Sequence, residues 1–333
     1  MESKLMDVAT MRSIAEAKNT GSVLAILLQT DYGQALTKFG GMEISPAMLD
    51  FALSENLAGR LNALARITPK RDLPIIREMI SRWDMNDVKR VLEALDRRQP
   101  YDSVSRYIIG AGEFPPAVLQ QAMSEGGVEG ALARLAHNAH YRQALSGALA
   151  AYRRTGNVLD ALEAIDMAHY AERATVVDKL EKRRDSAAGL IRMDIDMRNI
   201  ITLLRAKRGG LRFQQVERKL VANGNTQIAQ LAKAYAGCDD VASFAAKLEG
   251  FDLSGAIGAY RSDGNMITFE ISMRNQIFRT SRRLLRQSLL SVGALVDYVY
   301  LKQIEMFTLR ALVKSKEYGL TQDEVSRLVV WSP

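Results

Sequence analysis

The chain has 333 residues, 47% of them hydrophobic and 25% charged, with a formal net charge of +7. That length suits two or three compact units that need no covalent staple, and a single cysteine, Cys238, excludes an internal disulfide and is expected to be a small buried apolar residue. No apolar run reaches the ~18 residues of a membrane span, and Met1-Glu2-Ser3-Lys4 opens no secretory signal, so a soluble cytoplasmic protein is expected, held at a membrane only through a partner.

In chain order, Ser45-Pro46 predicts an N-cap followed by proline at the first helical position. Thr68-Pro69 and Phe114-Pro115 predict breaks between helices. No proline lies between Ala117 and Ser332, and this stretch is rich in good helix formers. Gly40-Gly41, Gly126-Gly127 and Gly209-Gly210 read as helix stops. From Met266 to Val292, the residues Ile267, Ile271, Phe278, Leu285 and Val292 recur at helical steps and predict one apolar stripe. Thr321-Gln322-Asp323-Glu324 matches a capping box. Alternating strand patterns are scarce, so the expected fold class is all-α.

The chain also repeats itself. Asp84-Met85-Asn86-Asp87-Val88 resembles Asp196-Met197-Arg198-Asn199-Ile200, 112 residues later, and Glu305-Met306-Phe307-Thr308-Leu309 follows after a further 109. Tyr32-Gly33-Gln34-Ala35-Leu36 resembles Tyr141-Arg142-Gln143-Ala144-Leu145, with Leu253-Ser254-Gly255-Ala256-Ile257 as a weaker copy. Three units follow from this: residues 41–153, residues 154–261, and residues 262–333 completed by residues 1–40. The expectation is three similar helical units in a pseudo-three-fold funnel or collar. The period is far from the ~33–34 residues of tetratricopeptide or ankyrin repeats.

The segments from Asp196 to Lys207, from Tyr300 to Glu305 and from Lys316 to Leu320, with Met1 to Leu5 and Thr30 to Gly33, carry a resemblance over nearly the whole chain. They resemble the C subunits of A/V-type rotary ATPases and ATP synthases, the homologues of the vacuolar ATPase d subunits. The resemblance implies a funnel on the membrane proteolipid rotor ring, on its cytoplasmic face. The funnel receives the central-stalk axle of the D and F subunits and passes rotation between the ATP-hydrolysing head and the ion-translocating ring. The membrane stator is a further neighbour, and neither an active site nor a cofactor is implied. Unit one departs from unit two, with Asp87, Glu93 and Leu95 where the latter has Asn199, Arg205 and Lys207.

Several residues are candidates for partner contact. Asp196, Asn199 and Lys207 fall on one helical stripe, as do Glu305, Thr308 and Lys316, with Arg205 and Lys314 beside them. These helices either line the socket, meeting polar groups on the axle, or pack between units with their terminal lysines favoured by the helix dipole. Arg279, Arg282, Arg283 and Arg286 form a basic stripe, read as lying opposite Ile271, Phe278 and Leu285. The stripe either meets acidic groups or lipid headgroups or is a solvated face. His137 and His140 read as two imidazoles on one helical face, but no further metal-ligand pattern accompanies them, so no metal is expected. Tyr32 and Tyr141 read as core residues of their units.

The sequence has no Gly-x-x-x-x-Gly-Lys-Ser/Thr loop and no Gly-x-Gly-x-x-Gly, and a Gly-x-Ser-x-Gly elbow is also missing. A non-catalytic coupling subunit is therefore the leading expectation. The alternative is a basic helical scaffold binding RNA or another polyanion, whose binding would fall steeply with salt. Basic residues are spread along the chain and aromatics make up only 7%, which argues against a base-stacking platform.

Overall fold

Proline and glycine punctuation sets where the helices start and stop. The computed structural model describes residues 5–39, 45–287, 291–321 and 324–325. Among them are 17 α-helices and no strand, as the composition predicts. The chain divides into two compact bodies, one of Ala17–Glu172 and one of Met1–Glu16 with Arg173–Pro333. The first helix, α1 (Val8–Glu16), belongs to the second body.

The body of Ala17–Glu172 contains α2 (Thr20–Leu27), α3 (Gly33–Leu36), α4 (Pro46–Ile67) and α5 (Leu73–Asp96), followed by α6 (Asp102–Ser105), α7 (Pro116–Met123), α8 (Gly127–Leu135) and α9 (Arg142–Thr155). Ser45 caps α4, its hydroxyl accepting from the Met48 amide at 3.3 Å, and Pro46 opens the helix as predicted. The helix ends at Ile67, and Thr68 turns extended before Pro69. The core joins Val88, Val91 and Leu92 of α5 to Leu119, Leu132 and Leu145 on α7, α8 and α9. Each such side chain contributes about 1.5–3 kcal/mol when fully buried. Gly126 differs from its expected role. It caps the start of α8 at φ +90° instead of stopping a helix.

α10 (Val158–Lys182) carries the division between the bodies. The second body continues with α11 (Ala187–Arg208), α12 (Phe213–Val216), α13 (Ile228–Ala236), α14 (Val241–Ala246), α15 (Ser254–Asp263), α16 (Ile267–Gln287) and α17 (Val292–Glu317). α11, α16 and α17 pack together, with Ile195, Leu203, Met273, Ile277, Val296 and Leu309 buried. Gly209 and Gly210 end α11 as predicted, Gly210 at φ +68°. Beyond α17, the Thr321 amide donates to the Glu324 carboxylate at 2.8 Å and the Glu324 amide to the Thr321 hydroxyl at 3.4 Å, so this capping box forms.

The predicted stripe from Met266 to Val292 does not lie on one helix. Ser291 starts α17, its hydroxyl accepting from the Gly293 amide at 3.1 Å, so Val292 belongs to the next helix. The buried face of α16 is Phe269, Met273, Ile277 and Ser281, one residue per turn, with Ile271 beside it. Ile267 is exposed and Phe278 is only partly buried. The side chain of Leu285 and the pair Gly40-Gly41 lie outside the described residues. The two bodies also divide the chain differently from the three sequence units. Compactness breaks within α10 and after Glu16, whereas the units follow repetition along the chain.

Gly156 and Gly264 each end a helix at φ +67°, a conformation that costs an L-residue about 1–2 kcal/mol. Gly156→Ala is expected to lower stability by about 1 kcal/mol in chemical denaturation, with unchanged helical circular dichroism.

Candidate functional site: buried acids that hold the loops

The repeated acids on α5, α11 and α17 do not face solvent. Asp84 on α5 is fully buried. Its carboxylate accepts the Glu113 amide at 2.8 Å, the Phe114 amide at 3.2 Å and the Tyr141 hydroxyl at 2.6 Å. One turn on, Asp87 accepts the amides of Ile109 and Gly110, each at 2.8 Å, and pairs with Arg90 at 2.9 Å. Arg90 also donates to the Tyr107 carbonyl at 2.9 Å.

The same construction stands 112 residues later on α11. Asp196 accepts the amides of Asn225 at 2.9 Å and Thr226 at 3.1 Å. Asn199 replaces Asp87 and bonds both faces of one residue's backbone, accepting from the Val221 amide at 2.9 Å and donating to the Val221 carbonyl at 2.8 Å. Arg198 donates to the Lys219 carbonyl at 2.5 Å, the counterpart of the Tyr107 carbonyl. A glycine precedes the bonded amides in both loops. A Cβ on Gly112 would lie 2.1 Å from an Asp84 oxygen, and one on Gly224 would lie 2.1 Å from an Asp196 oxygen.

On α17 the partner is the opposite end of the chain. Glu305 accepts the Met6 amide at 2.7 Å and the buried Lys302 ammonium at 2.6 Å. Lysines near the helix ends add a second tie. Lys207 donates to the carbonyls of Tyr235 and Cys238, each at 2.8 Å, and lies 3.7 Å from the centre of the Tyr235 ring. Lys316 donates to the Ala15 carbonyl at 2.6 Å. One register matches both sets: Met6 corresponds to Thr226, α1 to α13 and Ala15 to Tyr235. On α5, Leu95 stands in the lysine's place and packs against the apolar core.

Burial governs the electrostatics. It pushes the carboxyls of Asp84 and Asp196 above their ordinary range, against the pull of the bonds that they accept. Asp87 is pushed up to about 6, with burial outweighing the Gly110 amide and Arg90. Burial also raises the Tyr141 hydroxyl and lowers the Lys316 ammonium. An open pocket of about 290 Å³ lies over the first acid, lined by Arg66, Arg77, Glu113 and His140 among others. The Asp84 carboxylate beneath it is committed to three donors.

The residues singled out from the sequence therefore divide. Asp196, Asn199 and Glu305 are buried and bonded within the chain, so they are internal braces and not surface groups. Thr308 is buried too. Lys207 and Lys316 spend their ammonium groups on carbonyls at the ends of α13 and α1, and Lys314 pairs with Glu317 at 2.7 Å. Arg205, Arg279 and Arg283 are exposed. Arg282 is half-buried with its guanidinium 5.7 Å from the Phe278 ring centre. Phe278 thus neighbours the basic stripe and does not oppose it. The side chain of Arg286 lies outside the described residues.

His137 and His140 are exposed in the turn after α8, not on a helical face. Tyr32 and Tyr141 are buried, as read from the sequence, and so is Cys238. The Tyr141–Asp84 bond escaped sequence reading, although both residues belong to recurring elements. Asp185 and Asp297 escaped it too. The signal for Asp297 was a lone acid inside the apolar run Val292 to Leu301.

Asp196→Ala leaves two part-buried loop amides without acceptors, so it is expected to destabilise the fold by about 2–4 kcal/mol, read from the denaturation midpoint. Lys316→Met is expected to speed hydrogen exchange across α1 several-fold while leaving exchange in α5 unchanged.

The family model described as ATP synthase (C/AC39) subunit matches residues 1–328. The C subunit of the A-type ATP synthase of Pyrococcus abyssi is 27% identical, over 99% of this chain and 87% of its own length. The protein of the same name from Haloquadratum walsbyi is 24% identical, over 98% of this chain and 94% of its own. That from Thermococcus gammatolerans is 25% identical, over 99% and 87%. A model that covers all but the last few residues, over a fold of helices alone, settles the family: the chain belongs to the C/AC39 subunits of ATP synthases.

Proposed function

We infer that the chain is the non-catalytic central-stalk subunit of an A/V-type rotary ATPase. In this reading it links the membrane proteolipid ring to the axle of the D and F subunits, and it passes rotation between them during ion transport. The whole-chain family match carries the reading. Two features support it. No described helix is long and apolar enough to cross a membrane, which fits peripheral attachment to the ring on its cytoplasmic face. The buried acids are bonded to backbone amides, which suits a load-bearing part better than a reactive centre.

The three-unit organisation belongs to the same reading. Units of 41–153, 154–261 and 262–333 with 1–40 would form a collar, the N-terminal segment supplying the loop that the third unit lacks. The Met6–Glu305 and Ala15–Lys316 bonds support this. Packed interiors deform little under load, and braces that pin short helices to long ones add stiffness where torque passes.

Among the candidate contacts, exposed Arg205, Arg279 and Arg283 remain available for acidic groups of a neighbour. Gentle solubilisation of membranes carrying the tagged chain is expected to recover the proteolipid ring with the D and F subunits. Recovery of the chain alone while the ring stays intact would sink the reading. The double variant Arg279→Glu with Arg283→Glu is expected to fold normally and to bind the complex about two- to tenfold more weakly, with the difference shrinking at high salt.

A further inference from the structure

The α16–α17 hairpin holds a carboxylic acid that the braces do not use. Asp297 on α17 is fully buried, and neither of its oxygens has a hydrogen-bond partner. Ser281 on α16 is also fully buried, with its hydroxyl unpartnered. Ser281 lies six residues before the end of α16 and Asp297 five after the start of α17, so both sit at one height of the hairpin. An isolated carboxylate without donors is among the costliest groups to bury, whereas a neutral carboxyl is far cheaper.

The neighbouring charge is another acid. Asp185, in the turn between α10 and α11, accepts the Gly293 amide at 3.3 Å at the start of α17 and the Ala187 amide at 3.0 Å at the start of α11. A Cβ on Gly293 would lie 2.5 Å from an Asp185 oxygen, so glycine is what lets the carboxylate approach. Asp185 thus ties the start of α11 to the start of α17, sharing the Gly293 amide with the Ser291 hydroxyl.

The charges paired or exposed on the described parts of the packed elements are directed elsewhere. On α11, Arg192 pairs with Glu181 at 2.5 Å and Asp194 pairs with buried Arg173. On α16, Arg274 pairs with Glu270 at 2.6 Å, Arg279 and Arg283 are exposed, and Arg282 lies against Phe278. On α17 itself, Lys302 pairs with Glu305. Asp185 is the charged group felt at Asp297, where it acts with burial to hold the carboxyl at about 7.

We propose that Asp297 and Asp185 form a proton-controlled latch between the α10–α11 turn and the start of α17. While Asp297 keeps its proton, Asp185 holds Gly293 and the latch is closed. Asp297 follows Gly293 by one helical turn, so when it releases its proton to solvent a second carboxylate is charged within a turn of the Asp185 carboxylate, and the repulsion opens the Asp185–Gly293 tie. The device goes beyond the coupling role and does not depend on it.

The test uses the full chain labelled with 13C at aspartate Cγ. The Asp297 resonance is expected to titrate at about 7. Opening at the Gly293 amide, measured by hydrogen exchange after correction for intrinsic rate, is expected to rise several-fold from pH 5.5 to pH 8.5. Asp297→Asn is expected to abolish that rise, and Asp185→Asn to lower the Asp297 midpoint. A wild-type midpoint below 5, Gly293 opening that ignores pH, or a midpoint unmoved by Asp185→Asn would each overturn the latch. The two wild-type measurements decide the matter even where a variant fails to fold.

Discussion

A buried helix carboxylate that accepts loop amides is the contact on which the rest of this architecture depends. The elements beyond the long helices are short: α6 and α12 have four residues each, α14 six and α7 eight. Helices of that length do not persist alone in water, and their junctions carry amides without intrahelical partners. Asp84, Asp87 and Asp196 supply acceptors to such junctions from the rigid side of the structure. A carboxylate costs several kcal/mol to bury, and charge-assisted bonds recover roughly 1.5–3 kcal/mol each. The net gain in stability is therefore small, and the gain in position is large: each loop has one place to sit.

The brace is kept while its chemistry changes. The pair is Asp84 with Asp87 on α5 and Asp196 with Asn199 on α11. An amide side chain satisfies the donor and the acceptor of one residue, where a carboxylate collects two separate amides and needs Arg90 nearby. Arg90 and Arg198 occupy different helix positions yet reach corresponding carbonyls. The long arginine side chain absorbs the change in starting point. The glycines are less free. Gly112 and Gly224 sit where a side chain would collide with the carboxylate itself, so acid and glycine work as one unit.

Much of the fold was legible because it is written locally. Ser45-Pro46, Thr68-Pro69, Gly209-Gly210 and the Thr321–Glu324 box act within a few residues of the boundary that they set. The recurrence of Asp84, Asp196 and Glu305 was legible as well, but their burial was not. An acid at helical steps reads equally as lining a socket or as packing between units, and the amides that it binds lie 29 and 30 residues downstream at Asp84, 29 and 30 at Asp196 and 299 upstream at Glu305. The α16 stripe failed for a related reason. Apolar periodicity continued through the turn, and only the Ser291 cap marked the start of a new helix.

The buried acids also fix the direction in which this protein responds to protons. A carboxyl raised in the folded state favours folding when protonated, so its ionisation works against the fold. The unfolded chain releases the Asp87 proton near the ordinary carboxylate value of 3.8 and the folded chain near 6. The cost is absent below about 4, grows through the interval and is complete above 6. An interval of about two pH units corresponds to roughly 3 kcal/mol, comparable to the loss of a well-buried Leu methyl cluster and larger than the ~0–1 kcal/mol of a surface pair such as Arg153–Glu129. Asp84 and Asp196 move in the same direction through the same cause. Apolar side chains at these sites would strand the loop amides that the acids accept, so the chain keeps the carboxylates and carries the cost of their ionisation. Carboxylates there set loop position, and above about pH 6 the ionised Asp87 does so at the expense of stability.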